Sequence, residues 1–327
     1  MLREGGRAAV SETALRQPTA AVAQPRVWRG PGRRSVYARR RGRSGLAFVT
    51  PFMILFTLFM IVPLVYAVYE SLYTTKLIGG TRFSGFANYS TVLQSGPFWG
   101  GVIRVVIFGG IQIPVMLAIA FFFATIFDLG VAKWGRFFRA VYFVPFAVPI
   151  VVSALMWGFL FDPAYGPFNR LMNSIGFHNF NWLSSGLMVP SIIIIAIWEW
   201  TGYTTVIMYT ALKSVPRDLV EAAILDDTPL WRIILRIKLP MVRPAIILLI
   251  FINTIGAMQL FVEPNILNNY QAGVITNTWT PVINIYSTAI SNGEYQLGAA
   301  MAVVLAIIII AISVASLAFR NRRRSFS

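Results

Sequence analysis

With 327 residues and a formal net charge of +16, the chain is 57% hydrophobic and only 12% charged, at a mean hydropathy of +0.67. Soluble domains carry roughly 25% charged residues, so this composition cannot cover a globular surface, and lipid must replace water over much of it. Zero cysteines and a single histidine, His178, exclude a disulfide framework, a thiol nucleophile and cysteine-ligated metal clusters, and nearly exclude a histidine metal site.

Residues 1–44 are rich in Arg, Ala, Gly, Pro and Ser without apolar periodicity, ending in the basic run Arg39, Arg40, Arg41 and Arg43. They read as a disordered cytoplasmic tail. The apolar stretch that follows is too long for the core of a signal peptide and no small-residue cleavage site closes it, so it reads as a retained first span. Runs of about 18 or more apolar residues then mark six transmembrane helices. They lie near Leu46–Tyr69, Val102–Phe127, Phe137–Phe161, Leu187–Leu212, Pro244–Val262 and Leu297–Phe319. The expected fold is an all-α membrane protein, with a transmembrane domain over 45–320 and a basic tail over 321–327. Pro51, Pro63, Pro114, Pro145 and Pro149 fall inside spans and predict kinked helices, which a bundle tolerates where neighbours satisfy the freed carbonyls.

A pI near 10.8 would ordinarily point to nucleic acid. The basic residues argue otherwise, because 24 of the 28 Lys and Arg lie in the N-terminal tail, in the loops near 128–139 and 213–243, and from Arg320 to the C-terminus. The segment from Glu263 to Glu294 has none. An anionic cytoplasmic leaflet selects that distribution, and it puts both termini in the cytoplasm, as an even number of spans requires.

The loop between the fourth and fifth spans stands out. Pro216 and Asp218 open a short helix through Glu221, Ala222, Ala223 and Leu225, and a break follows at Asp227-Thr228-Pro229. Leu230, Ile233, Ile234 and Ile237 then form one apolar stripe, with Pro240 expected to end that second helix. Such a pair of helices either lies on lipid or docks a cytoplasmic partner.

Glu221-Ala222-Ala223 and Asp226, followed by Ile237-Lys238-Leu239-Pro240, resemble the EAA loop of permease subunits in binding-protein-dependent ABC importers. That family's pattern runs E-A-A-x-x-D-G and ends in I-x-L-P. Here Asp227 replaces the glycine, which predicts a differently shaped turn. Phe83-Ser84-Gly85-Phe86-Ala87-Asn88-Tyr89, Arg139 through Pro149, Trp157, Gly166-Pro167-Phe168-Asn169 and Trp182-Leu183 resemble sugar-type permeases, akin to the maltose permease pair. Arg104-Val105 and Asn268-Asn269-Tyr270 depart from that pattern. The resemblance implies a type I importer permease in a bacterial plasma membrane, forming half of a pore for a carbohydrate or related solute. It also implies a second permease, two cytoplasmic ATPase subunits and an extracellular solute-binding protein as partners. Glu221, Ala222, Ala223, Leu225, Asp226, Asp227, Leu230, Ile233, Ile234 and Pro240 would then couple to the ATPase, with Glu221 pairing an arginine there.

No phosphate-binding G-x-x-x-x-G-K-[ST] loop occurs, so ATP hydrolysis is expected in a partner and the chain itself is expected to be no enzyme and to need no cofactor. Glu199, with Trp200 and Tyr203 close by, is a candidate for the solute path, because a charge inside a span usually faces a cavity or a partner. Aromatics beside hydrogen-bonding groups suit a sugar. Asn253 and Gln259 are further candidates, each equally suited to bridging helices. The competing reading is a proton- or ion-coupled secondary transporter with Glu199 as carrier, which leaves the Glu221 loop unexplained. His178 reads as an ordinary external-loop residue.

Overall fold

The computed structural model describes residues 47–76, 79–130, 134–177 and 180–322. The N-terminal tail, most of the C-terminal tail and His178 lie outside the described residues. Helix α1 covers Ala47–Glu70. Two compact units divide within it, after Ile61. In the first, Phe52 and Phe56 stack with ring centroids 5.9 Å apart, and a π turn occupies Thr57–Ile61. That turn ends just before Pro63, whose missing N–H and bulky ring an ordinary α turn cannot accommodate.

In the second unit the chain turns into a hairpin that apolar run lengths did not signal. Strands β1 (Tyr73–Lys76) and β2 (Gly80–Phe83) pair antiparallel, Tyr73 opposite Phe83. The Asn88 side chain, in α2 (Ala87–Gln94), donates to the carbonyls of Ser71 and Tyr73 at 2.9 and 2.7 Å, and Tyr89 shares a hydrogen bond with Ser71. The Phe83–Tyr89 motif is therefore a clamp that fixes the hairpin to the helix, with Gly85 supplying a positive φ.

Helix α3 runs unbroken through Pro114 over Gly96–Leu129. At 1.5 Å per residue it is about 50 Å long against an apolar layer of about 30 Å, so its ends reach well beyond the lipid. Ser95 caps its start and Gly130, at φ +69°, closes its end. Arg104, eight residues into the helix, donates to the Trp279 carbonyl and lies over that indole ring.

The third expected span is two helices, α4 (Gly135–Ala147) and α5 (Ile150–Phe161), bent by 93°. Pro149 forces Val148 out of helical geometry (ψ 128°) and cannot donate to the preceding turn. Counting that pair as one, the described residues hold six spans. Helix α6 (Pro167–Ser174) follows a turn in which Asn169 donates to the Asp162 carbonyl at 2.8 Å. Any Cβ at Gly166 would press on the Asp162 and Leu160 carbonyls.

Helix α7 (Met188–Lys213) is the axis of the core, packed along α3 and against α4. A Cβ at Gly202 would collide with the Tyr142 carbonyl, so glycine alone permits that approach. Met116, Met188, Ile192, Ile195, Met208 and Leu212 are fully buried between these helices. After the loop described below, α10 (Arg243–Met258) packs on α3 and α11 (Val262–Leu267) on α5. Helix α12 (Pro281–Tyr286) leads through a π turn (Ser287–Ser291) to α13 (Tyr295–Arg322). The last of these packs on α2, α10 and the Val62–Glu70 part of α1.

Candidate functional site

The loop between α7 and α10 forms the expected pair of short helices. Helix α8 spans Arg217–Leu225, its first turn carrying Asp218. Glu221 and Ala222 are exposed, Ala223 is half-buried, and Leu225 is 84% exposed at the tip. The turn after it is closed by backbone bonds from Asp227 N–H to the Ile224 carbonyl and from Thr228 N–H to the Ala223 carbonyl, both 3.0 Å. This is a Schellman closure, with Asp226 as the C-cap and Asp227 in the left-handed position. Asp227, at φ +52°, is the one non-glycine residue with positive φ among the described residues. The expectation of a differently shaped turn is thus corrected: aspartate takes the glycine conformation and the turn keeps its form.

Residues 230–241 make the second helix, α9, in three pieces: Leu230–Arg232, a π stretch over Ile233–Lys238, and Leu239–Met241. Pro240 does not end it. The widened π turns remove the clash and the missing donor that a proline brings to a regular helix, and the break comes at Val242. The stripe is also divided in use. Ile233 is 1% exposed and packs within the chain, Ile234 is half-buried, and Leu230 and Trp231 are open at the surface with Ile224 and Leu225. Ile233 therefore holds the loop together, while Leu225 and Leu230 with Ile224 and Trp231 form the free apolar edge.

A cavity of about 360 Å³ lies behind this edge, and Glu221 lines it with Asp128, Lys213, Arg217 and Lys238. Asp128, in the last turn of α3, pairs with Lys213 at 3.0 Å and with Lys238. Nothing local in the sequence linked these three.

Farther along the bundle a second cavity, of about 340 Å³, is lined by Trp200 of α7, Asn253 of α10 and Gln259, the residue that ends α10. Gln112 of α3, Phe261 and Glu263 of α11 complete its polar and aromatic wall. Three of the five expected path residues are thus brought together. Tyr203 is not among the residues lining it; its ring stacks on Phe146 of α4 at 4.6 Å. Glu199 lies outside the cavity lining as well, 5% exposed, with Ser153 of α5 and Glu263 as its polar neighbours. Neither Glu199 oxygen has a donor in good hydrogen-bonding geometry among the described residues. Gln112 and Glu263 were missed by sequence reasoning. Glu263 falls one residue past the apolar run, and only the break at Gln259–Phe261 turns it inward. Asn253 donates one N–H to the Leu249 carbonyl one turn back, which leaves its amide oxygen and second N–H for a ligand.

Residues 117–325, which hold both helices of the loop and most of the cavity wall, match the family described as the binding-protein-dependent transport system inner membrane component. The chain belongs to this family. The trehalose/maltose transport system permease protein of Thermococcus litoralis is 26% identical over 288 residues, 87% of this chain and 96% of the relative. The lactose transport system permease protein of Rhizobium radiobacter is 30% identical over 257 residues, 78% of this chain and 86% of the relative. A bacterial alginate ABC transporter, solved with an alginate pentasaccharide-bound periplasmic protein, contains a chain that superposes with TM-score 0.76 at 22% identity. The match covers 88% of this permease and 98% of that chain, and it shows the fold. The permease is a multi-pass membrane component of a transport system, and the ion-coupled alternative is set aside.

Proposed function

We infer that this permease forms half of the translocation pore of an ATP-driven importer for a carbohydrate or related polyhydroxylated solute. Its loop of residues 217–241 couples the pore to a cytoplasmic ATPase. A second permease completes the pore and an extracellular solute-binding protein delivers the solute, across a bacterial plasma membrane with both termini inside. The single observation that carries the reading is the exposed tip of α8. A soluble surface would not leave Leu225 open beside Ile224, Leu230 and Trp231 unless a partner covers them. Glu221 on the same helix supplies the charge for an arginine of that partner, and Ala222 lets the two backbones approach.

The solute class is supported by the relatives, whose names cover trehalose or maltose and lactose. It is supported also by the cavity of Trp200, Gln112, Asn253 and Gln259, which offers a π face beside amides, as a sugar ring requires. Because the chain has no cysteine, single cysteines at 221, 225 and 230 give clean cross-linking positions. Capture of an ATPase subunit is expected from all three, and Glu221→Arg is expected to abolish uptake while membrane insertion stays normal. Cross-linking to lipid alone, or unchanged uptake in Glu221→Arg, would remove the reading.

A further inference from the structure

Both ion pairs found among the described residues meet on one carboxylate, Asp128. It sits in the last turn of α3, its side chain 6% exposed, and each oxygen has its own partner. Oδ1 faces the ammonium of Lys213, the final residue of α7, at 3.0 Å. Lys213 also reaches the Asp128 backbone carbonyl at 3.3 Å. Oδ2 accepts from Lys238, the last residue of the π stretch in α9 and itself buried. One carboxylate therefore joins the ends of α3 and α7 to the segment between the docking helix and α10. Lys238 occupies the unspecified position of the I-x-L-P pattern, so the tie belongs to this chain rather than to that motif.

We propose that Asp128 is a positioning residue for energy coupling, the latch through which movement of the α8–α9 loop is passed to α3 and α7 as one body. This rests on the coupling reading given above. Three features carry it. The Asp128 and Lys238 side chains are only 6% and 9% exposed, so the attraction between them is less screened than at the surface and resists sliding between the elements, whereas Lys213, at 46%, contributes less. The latch lies on the cavity that Glu221 lines, next to where a partner group would enter. The loop also packs on the core through the half-buried Val220, an apolar contact that is not directional. Packed helices move as rigid bodies when one end is held, and a two-sided ionic tie supplies that hold.

The test uses the complete importer, reconstituted in liposomes, with Gln259→Cys as a reporter in the pore cavity and ATP plus vanadate as the trapping probe. In the otherwise native permease, trapping is expected to change the labelling rate of this cysteine by a small thiol reagent at least fivefold. Asp128→Asn is expected to keep the ATPase rate within twofold and to lose that change, and Asp128→Glu to recover it. A full response in Asp128→Asn overturns the proposal. If Asp128→Asn fails to assemble, Asp128→Leu/Lys238→Met decides instead, because removing both charges together is commonly tolerated at buried sites. Hydrolysis without a labelling change in that pair supports the latch, and a retained change overturns it. If the native complex itself shows no response, the coupling reading falls, and the latch with it. A native response lost from no variant overturns the latch alone.

Discussion

At the basic end of the bundle, the loop of residues 217–241 holds open apolar side chains on a backbone whose turn is fully hydrogen-bonded. Midway along α7 the situation is reversed. Glu199 is buried, with the Ser153 hydroxyl as its polar neighbour and no donor in good hydrogen-bonding geometry among the described residues. The two regions are incomplete in opposite currencies, and that tells them apart. Exposed Leu and Trp are satisfied by a protein surface that excludes water. Buried carboxylate and hydroxyl groups are satisfied by water or by a hydroxyl-bearing solute. On the proposed reading the first is a docking edge and the second belongs to a path for a polar solute.

The strongest way to break this contrast is at the docking edge. Leu225→Asp removes an anchor worth roughly 1.5–3 kcal/mol once covered, which is about a tenfold to hundredfold loss of affinity. The expected outcome is ATPase subunits that no longer co-purify, while the permease alone melts at an unchanged temperature, because this side chain touches little within its own chain. Normal co-purification would show that the edge is not the docking surface.

A smaller effect is expected in the interior. Glu199→Gln keeps the shape and removes the charge, so assembly should be normal and uptake should fall several-fold, up to about tenfold for one lost charge-assisted bond. The same substitution at Glu263, which lines the cavity wall, should reduce uptake as well. If uptake is untouched in both, the polar interior is structural and the contrast collapses.

The smallest effect concerns the turn. Asp227 holds a left-handed conformation that costs a non-glycine residue roughly 1–2 kcal/mol, offset partly by the entropy glycine loses on folding. Asp227→Gly should therefore raise the thermal midpoint by a few degrees at most and leave uptake unchanged. A drop in the midpoint would mean that the Asp227 side chain stabilises the turn in its own right.

Burial also ranks the ion pairs. Removing one partner from a buried pair typically costs about 3–5 kcal/mol, so Asp128→Asn belongs near the top of the scale for stability as well as coupling. The exposed Glu221, in the isolated permease, belongs near the bottom for stability and at the top for function.

The hydropathy of the chain located six spans and the short helices of the coupling loop, because transfer to lipid and local helix signals are properties of consecutive residues. The E-A-A triplet and the I-x-L-P end were legible through their resemblance to a family pattern, which is also written in near-consecutive residues. Pro149 announced a kink, but nothing in the local sequence gave its size, 93°. Pro240 looked like a stop, and π winding carried the helix past it. Asp227 looked like a change of turn, and the backbone bonds of the cap held the old geometry against the preference of the residue.

What the tertiary structure alone decided is which side chains meet across long separations. Asp128 and Lys238 are 110 residues apart, and no periodicity connects them. The cavity gathers Gln112, Trp200, Asn253 and Glu263 from four helices, each of which reads separately as apolar or amphipathic. Apolarity along a line reports how willingly a segment leaves water. It carries no information on which face of that segment turns toward which neighbour, and both the Asp128 cluster and the cavity are made of such faces.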